Sequence, residues 1–371
     1  MEKIKRKIHE WGSIWLNLAG KVVLIKSVLN SYLLYQSSIL LAPAKVISQL
    51  EGLIRSFLWQ KGSAGGGKKF ALVSWKIIKL PRPEGGLFIR DIRSQNLALG
   101  AKMLWNLVGP KPSWCSQVLK AKYFRGLRLR CLDGEHVNQK GSSIYHICFK
   151  ALPTFKEELH WVPGNGKSIN IWHDKILDKE PPQIPRLQEI LTALGLTTLW
   201  DFSNWEPETP HRWAGWSLPD CHPEINEELK ILTNHLAGLA PIAMAKKDRR
   251  GWGRKSGIYT TAEGYQLYAA SFNVPSNPQV WNNLWNRSTL PKIDTFAWTL
   301  AHSRILTSEN LQKRGMAGPF RCPLCMEESE TISHLFLQCT YTKSVWEEVL
   351  KPLGGGVRLP DSIQDWFISW E

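Results

Sequence analysis

The sequence predicts a mainly α protein with short β-hairpins, an α+β chain in three consecutive parts. Three observations lead there. Apolar residues recur at helical spacing through the first 130 residues and again after residue 256. The stretch between is rich in Pro, Gly and Trp and carries one hairpin pattern. Near the C-terminal end, Cys322-Pro323-Leu324-Cys325 is followed by His334 and Cys339, in the pattern C-x2-C-x8-H-x4-C. That spacing suits a small metal-stapled unit. The expected parts are a basic helical region over 1–130, a connector over 131–255 and a helical zinc-knuckle domain over 256–371.

The elements follow in order. Val22, Val23, Leu24 and Ile25, with Val28, Leu29, Leu33 and Leu34, form an apolar stripe close to helical period, and Gly20 separates two segments. Pro43 suits the first turn of the next helix, with Val46, Leu50, Leu53, Ile54, Phe57 and Leu58 on one face. Ser63 to Lys69 is a Gly-rich loop ending in Lys68 and Lys69. Ala71 to Trp75 reads as a short strand and Pro81 to Gly86 as a turn. Asp91 suits the cap of a helix reaching about Val108, with Leu97, Ala101, Leu104 and Trp105 inward. A further helix follows Pro112 and ends in the basic run from Lys120 to Arg130.

In the connector, Trp161 to Trp172 reads as a hairpin turning at Asn165-Gly166. Its Gly164-Asn165-Gly166-Lys167-Ser168 imitates the end of a phosphate loop. The match fails, because G-x4-G-K-S needs a glycine where Trp161 stands. His173 and Asp174 are adjacent, so they do not face each other as a general-base pair would, and a loop role is expected. Residues 180–225 hold seven of the 22 prolines and four tryptophans, which suits an irregular packed connector. Glu224 to Leu239 is helical in pattern. Lys246 to Lys255 reads as a basic loop, either a nuclear-localisation run or a solvated one.

After residue 256 come short helices over Ala262 to Ala270 and Val280 to Trp285, then one opened by Pro291 with Phe296, Ala297 and Leu300 aligned. Thr307 or Ser308 caps the next, with Glu309 in its first turn, Lys313 and Arg314 in its last and Gly315 just beyond. A final amphipathic helix carries Val345, Trp346, Val349 and Leu350 and stops at Gly354.

Charge divides the chain. Residues 1–130 hold 23 Lys and Arg against 5 Asp and Glu, a net of +18, while the remainder holds 24 against 27, a net of −3. An acid-poor basic stretch is the footprint of a polyanion-binding surface, with a solvated cationic face as the bland alternative. The candidate phosphate contacts are Lys21, Lys26, Lys68, Lys69, Lys120, Lys122, Arg125, Arg128 and Arg130.

Cys322, Cys325, His334 and Cys339 are candidate ligands of one structural zinc ion, since four protein ligands leave no open position for catalysis. A thioredoxin-like redox pair is the competing reading, but it expects a βαβ setting that is not legible here. Between Cys322 and Cys339 there is no Lys or Arg, but there are Glu327, Glu328 and Glu330. With a net charge of −1 on the metal cluster itself, that surface repels phosphate. Nucleic-acid contact is therefore expected at the basic end, with Leu335 and Phe336 buried beneath the knuckle. No apolar run has the length of a membrane span, and the first residues lack the apolar core of a signal peptide. An intracellular protein, nuclear or cytoplasmic and not secreted, is expected, with Cys115, Cys131, Cys148 and Cys221 as reduced thiols.

Three blocks give the chain a resemblance. Leu18 to Val28, with Phe57-Leu58-Trp59 and Gly85 to Asp91, resembles the segment after the polymerase palm in reverse transcriptases of plant LINE-type (non-LTR) retrotransposons. Gly164 to Trp172 resembles their connector hairpin, and Trp281 to Trp346 their zinc-binding domain. The resemblance implies a thumb-like basic region, a connector and a zinc-binding domain. The family's polymerase site needs paired Asp residues, and this sequence contains no Asp-Asp dipeptide. The resemblance begins downstream of the palm and ends before any ribonuclease H domain. A noncatalytic, truncated remnant is therefore expected, binding RNA or an RNA–DNA hybrid with weak sequence preference. A zinc-stapled protein-interaction module is the alternative, and polymerase activity would need a palm supplied in trans.

Overall fold

The computed structural model describes residues 2–10, 16–59, 71–109, 113–123, 141–202, 223–237, 239, 246–253, 257–269, 277–286, 289–353 and 359–369. In chain order the elements are α1 (Glu2–Glu10), α2 (Leu18–Leu24), a π-helical turn (Ile25–Leu29), α3 (Asn30–Ser37), α4 (Ala44–Trp59), α5 (Trp75–Lys79), α6 (Ile92–Val108), α7 (Trp114–Tyr123) and α8 (Ser143–Glu158). There follow β1 (Leu159–Val162), α9 (Pro185–Ala193), α10 (Pro223–Ala237), β2 (Arg249–Trp252), α11 (Thr261–Ala269) and α12 (Pro278–Trp285). The last are α13 (Pro291–Ala301), α14 (Ser308–Gln312), α15 (Thr340–Leu350) and α16 (Ile363–Ile368). The protein is mainly helical, with one small antiparallel sheet among the described residues.

Two compact units result. One is Met1–Gln36, Ala42–Arg93 and Ala269–Glu371, and the other is Ser37–Leu41 and Ser94–Tyr268. These divisions differ from the sequence segments at 130 and 255. The apolar faces of α2 and α4 are covered from the far end of the chain. Leu50, Ile54 and Phe57 of α4 share one core with Ile25 and Leu29 of the π turn, Trp298 of α13 and Phe367 of α16.

In this first unit Asn17, not Gly20, marks the helix boundary. Its side chain accepts from the Gly20 amide at 2.9 Å, and Gly20 lies inside α2. The stretch 71–75 is not a strand: Ser74 caps α5 by accepting from the Ile77 amide. Asp91 turns its carboxylate to Lys79 at 2.6 Å, and the same ammonium lies 3.4 Å from Glu51, so a buried charge cluster ties α4, α5 and the start of α6. The turn at 81–86 is held by aromatic residues of α12 and α13. The Gly85 carbonyl accepts from the Trp298 indole at 2.8 Å and lies 2.8 Å from His302 Nε2, while the Arg82 guanidinium sits 4.7 Å over Trp285. Burial lowers the His302 pKa, against the opposing pull of that carbonyl. On α13 Trp298 and Leu300 are buried and Ala297 packs against the core, as the pattern expects for the last two, whereas Phe296 is exposed. The short α16, which the sequence did not announce, buries Ile363, Trp366 and Phe367.

The second unit has two apolar cores. One gathers Leu104, Ile147, Phe155, Trp252 and Tyr259, and the other Ile169, Trp172, Leu187, Leu199, Phe202 and Leu232. The hairpin expected to turn at Asn165-Gly166 is not formed. β1 pairs antiparallel with β2, Leu159 opposite Trp252 and Val162 opposite Arg249, so part of the expected basic loop 246–255 is a strand. The residues that imitate a phosphate loop instead wrap a carboxylate of the same chain. Asp248 accepts from the amides of Gly164 at 2.7 Å, Gly166 at 2.8 Å and Ser168 at 2.9 Å. This is an anion nest filled from within by a carboxylate of the same chain. Asp248→Ala leaves those amides without their charged acceptor and is expected to cost about 2–3 kcal/mol. Urea denaturation followed by tryptophan fluorescence reads that loss, and an unchanged midpoint contradicts it.

Candidate metal centre

The ligands are brought together by two local folds. Beyond α14, Gly315 takes a left-handed φ of 75° and turns the chain. Arg321 then bridges antiparallel to Ser329, and the Cys322 amide donates to the Glu328 carbonyl at 2.7 Å, closing a loop over 321–329. Inside it the Met326 amide donates to the Cys322 carbonyl at 2.9 Å, and Met326 adopts a left-handed φ of 61°. That turn returns Cys325 to the side of Cys322. The second fold is a π-helical turn at His334–Gln338, whose closing bond runs from the Cys339 amide to the His334 carbonyl at 2.8 Å. An i→i+5 turn places residues five apart on one side. The H-x4-C spacing thus becomes a bidentate platform.

The four donor atoms lie within 4.8 Å of one another. Cys322 and Cys339 sulfurs are 3.9 Å apart, and Cys325 Sγ is 3.4 Å from His334 Nε2. Two sulfurs at zinc bond length in a tetrahedron stand about 3.8 Å apart, and a sulfur and an imidazole nitrogen about 3.6 Å. The donor set therefore fits zinc. The backbone around each sulfur makes the same point. Amides of Leu324 and Cys325 aim at Cys322, those of Glu327 and Glu328 at Cys325, and those of Tyr341 and Thr342 at Cys339. Each sulfur is met by the amides two and three residues on, an arrangement that favours thiolate, the ligand form. The Glu328 and Glu327 amides hold the Cys325 thiol below its usual pKa. Burial raises Cys339, but the Thr342 and Tyr341 amides together with the neighbouring Cys322 and Cys325 thiols outweigh it and lower the pKa; at Cys322 burial wins and the pKa is raised. Cys322, Cys339 and His334 are buried and Cys325 is half-buried. Zinc here supplies a closed four-coordinate crosslink with no position for substrate.

The crosslink is continuous with the core of its unit. Ile332 and Leu337 are buried, while Leu335 and Phe336 are half-buried. The Trp346 indole donates to the Phe336 carbonyl at 2.9 Å, and its ring meets Trp366 edge-on at 5.3 Å. Thr307 makes no capping bond to α14. Glu330 does so instead, accepting from the Ser308 amide at 3.0 Å and from the Ser308 hydroxyl. A cap supplied 22 residues downstream leaves no local signal in sequence. Glu309 and Lys313 also pair across one turn at 2.5 Å, but in a solvent-facing position, so the pair adds little.

Of the candidate phosphate contacts, the four among the described residues divide between the two units. Lys21 is 4% exposed, its ammonium 5.8 Å from the Phe57 ring centroid, and burial lowers its pKa. It lies one turn before Ile25 on the face that α2 turns inward, so it does not meet a phosphate backbone. Lys26 is half-buried, and burial, then the charge of Arg82, push its pKa down to about 8. Lys120 and Lys122 are exposed on α7, in the other unit. Lys68, Lys69, Arg125, Arg128 and Arg130 lie outside the described residues. His173 is exposed, and the neighbouring Asp174 accepts from the Asn170 amide at 2.7 Å, a turn-holding role. Cys115 is an exposed thiol and Cys148 a buried one. Among the described residues no helix is long and apolar enough to cross a membrane.

Residues 259–346 match the protein family described as zinc-binding in reverse transcriptase. An Arabidopsis thaliana protein named "Putative ribonuclease H protein" is 25% identical over 355 residues, covering 94% of this chain and 55% of its own length. This chain therefore spans about half of that relative. A second protein from Arabidopsis thaliana, named "Uncharacterized mitochondrial protein", is 26% identical over 139 residues, 37% of this chain and 86% of its own.

Proposed function

From the match of residues 259–346 to the zinc-binding region of reverse transcriptases, we propose that this chain is a noncatalytic nucleic-acid-binding protein of LINE-type retrotransposon origin. Its zinc ion is structural, and its basic part holds RNA or an RNA–DNA hybrid through the phosphate backbone. The observation that carries the reading is the charge division: 23 cations against 5 acids in residues 1–130. On the described surface the exposed Arg93, Lys102, Lys120 and Lys122 belong to that excess. The zinc knuckle is not the contact, because Glu327 and Glu328 are exposed on it and no cation lies between Cys322 and Cys339.

Several carboxylates support a noncatalytic role, because they hold the chain's own backbone. Asp174 accepts from Asn170, Asp201 from Thr197 and Thr198, Glu228 from Leu187, Asp248 from its nest and Glu330 from Ser308. The pair of adjacent aspartates that would hold two catalytic metal ions is missing from the sequence.

A gel shift of the purified chain with single-stranded RNA and with an RNA–DNA hybrid tests the reading. Engagement of about 6–10 phosphates weakens duplex binding roughly 10³- to 10⁵-fold between about 50 and 200 mM salt. No complex at the lowest salt sinks the proposal. A second reading, a zinc-stapled module for protein contact, draws on the exposed Leu324 and Met326 beside Glu327 and Glu328. Capture of a partner protein without any RNA binding would favour it.

A further inference from the structure

The helix α7 turns an unusual side to solvent. Trp114 is 85% exposed and Val118 61% exposed, whereas Ser116 and Leu119 face inward. At 100° per residue, Trp114, Gln117, Val118 and Ala121 form the centre of the outward face. Lys122 borders it on one side and Lys120 on the other, and all six residues are exposed. A bare indole with Val118 beside it is costly to leave in water. The charge of the sequence on either side of it points to what covers it. From residue 92 to 132 the sequence holds eight Lys and Arg and no Asp or Glu. A protein partner with an apolar face would not call for so one-sided a charge, whereas a polyanion with flat apolar rings would. Unpaired nucleotides are that ligand, since every base offers a π-face and every linkage a negative charge. In a duplex the same faces are stacked on one another and unavailable.

We propose that the outer face of α7 is a stacking platform for single-stranded nucleic acid, with Trp114 taking a base and Lys120 and Lys122 the flanking phosphates. The proposal rests on the nucleic-acid reading above and gives it a preference, unpaired strands over duplex. The helix anchors the platform from below. Ser116 donates to the Ser113 carbonyl at 2.6 Å, and Tyr123 at the far end lies 4.9 Å from the Tyr145 ring, its hydroxyl accepting from the Ser142 amide at 3.0 Å. The Lys122 ammonium rests 5.1 Å from the Tyr123 ring centroid, an exposed position from which it reaches a phosphate.

Fluorescence anisotropy of the full chain with a labelled 12-nucleotide oligouridine and with a blunt duplex RNA tests this. Trp114→Ala is expected to lose about 5- to 150-fold in affinity for the single strand, with duplex binding unchanged and Trp114→Phe restoring most of the loss. Lys120→Ala is expected instead to flatten the salt slope by about 0.7. Circular dichroism of each variant checks the fold, which an exposed position leaves intact. Wild-type binding that Trp114→Ala leaves unchanged overturns this proposal alone. Absence of wild-type binding to either RNA overturns the reading beneath it as well. Adsorption to anionic lipid vesicles that Trp114→Ala abolishes, with RNA affinity unaltered, reassigns the face to a membrane surface and also overturns it.

Discussion

Stripping zinc with a chelator, or replacing Cys325 by Ala, is expected to unfold the chain around residues 315–350. Apparent binding energies of structural zinc in small sites are about 10–16 kcal/mol, as large as the whole stability of an ordinary domain, about 5–15 kcal/mol. Little else holds the loop 321–329. It has one antiparallel bridge and a few backbone bonds, and Phe320, Leu324 and Met326 are exposed. The loss spreads inward, because Ile332 and Leu337 of the knuckle belong to the core that holds Trp298 and Phe57. Limited proteolysis read by mass spectrometry, with zinc content measured on the same sample, follows the outcome. New cleavage between 315 and 350 is the expected result, and an unchanged digest of verified zinc-free protein contradicts it. Acid has the same direction as chelation, since thiolates and a neutral imidazole must be kept deprotonated to bind metal.

The second large effect is expected at the turn that α12 and α13 clamp. Gly85 has φ +88°, and a Cβ there stands 2.6 Å from the Trp281 ring; at Gly86 it stands 1.9 Å from the Leu80 carbonyl oxygen. A left-handed non-glycine residue costs about 1–2 kcal/mol and forced overpacking about 1–3 kcal/mol. Gly85→Ala is therefore expected to destabilise the unit by about 2–5 kcal/mol. Gly86→Ala costs at least as much, because the obstacle is backbone and cannot rotate away. The Gly85 carbonyl also moves, and with it the acceptor of the fully buried Trp298 indole. Thermal unfolding of each variant, zinc-loaded, reads the effect; melting within about 1 °C of wild type contradicts it.

Much of the metal centre was legible in sequence, because four ligands within one short stretch need only local folds to meet. The spacing of Cys322, Cys325, His334 and Cys339 carried the donor set, while the amides aimed at each sulfur did not show, since every residue type has one. Helices with strong period, such as α4 and α6, were readable for the same local reason. The sheet was not. Asn165-Gly166 is a strong turn signal, yet the partner of β1 lies at Arg249–Trp252, and pairing across that distance leaves no periodic mark. Asp248 filling the loop at Gly164–Ser168, and Glu330 capping α14, were hidden alike, because a carboxylate's partner amides are chosen by the tertiary fold. Lys21 misled for the opposite reason. A lysine in a basic stretch reads as surface, but one turn from Ile25 its stem packs inward and its charge meets Phe57. Trp114 was one of 19 tryptophans in the sequence, and only the structure separates it from those that build cores.

On the proposed reading, the basic part of this chain holds a nucleic-acid backbone while zinc only staples the C-terminal part of the sequence. The most direct test is the equilibrium affinity of the zinc-loaded chain for single-stranded RNA across a salt series. A straight, steeply falling line of log affinity against log salt, with a slope of about −0.7 for each phosphate engaged, is the predicted result. No binding at about 50 mM salt, or an affinity that salt does not change, would contradict it.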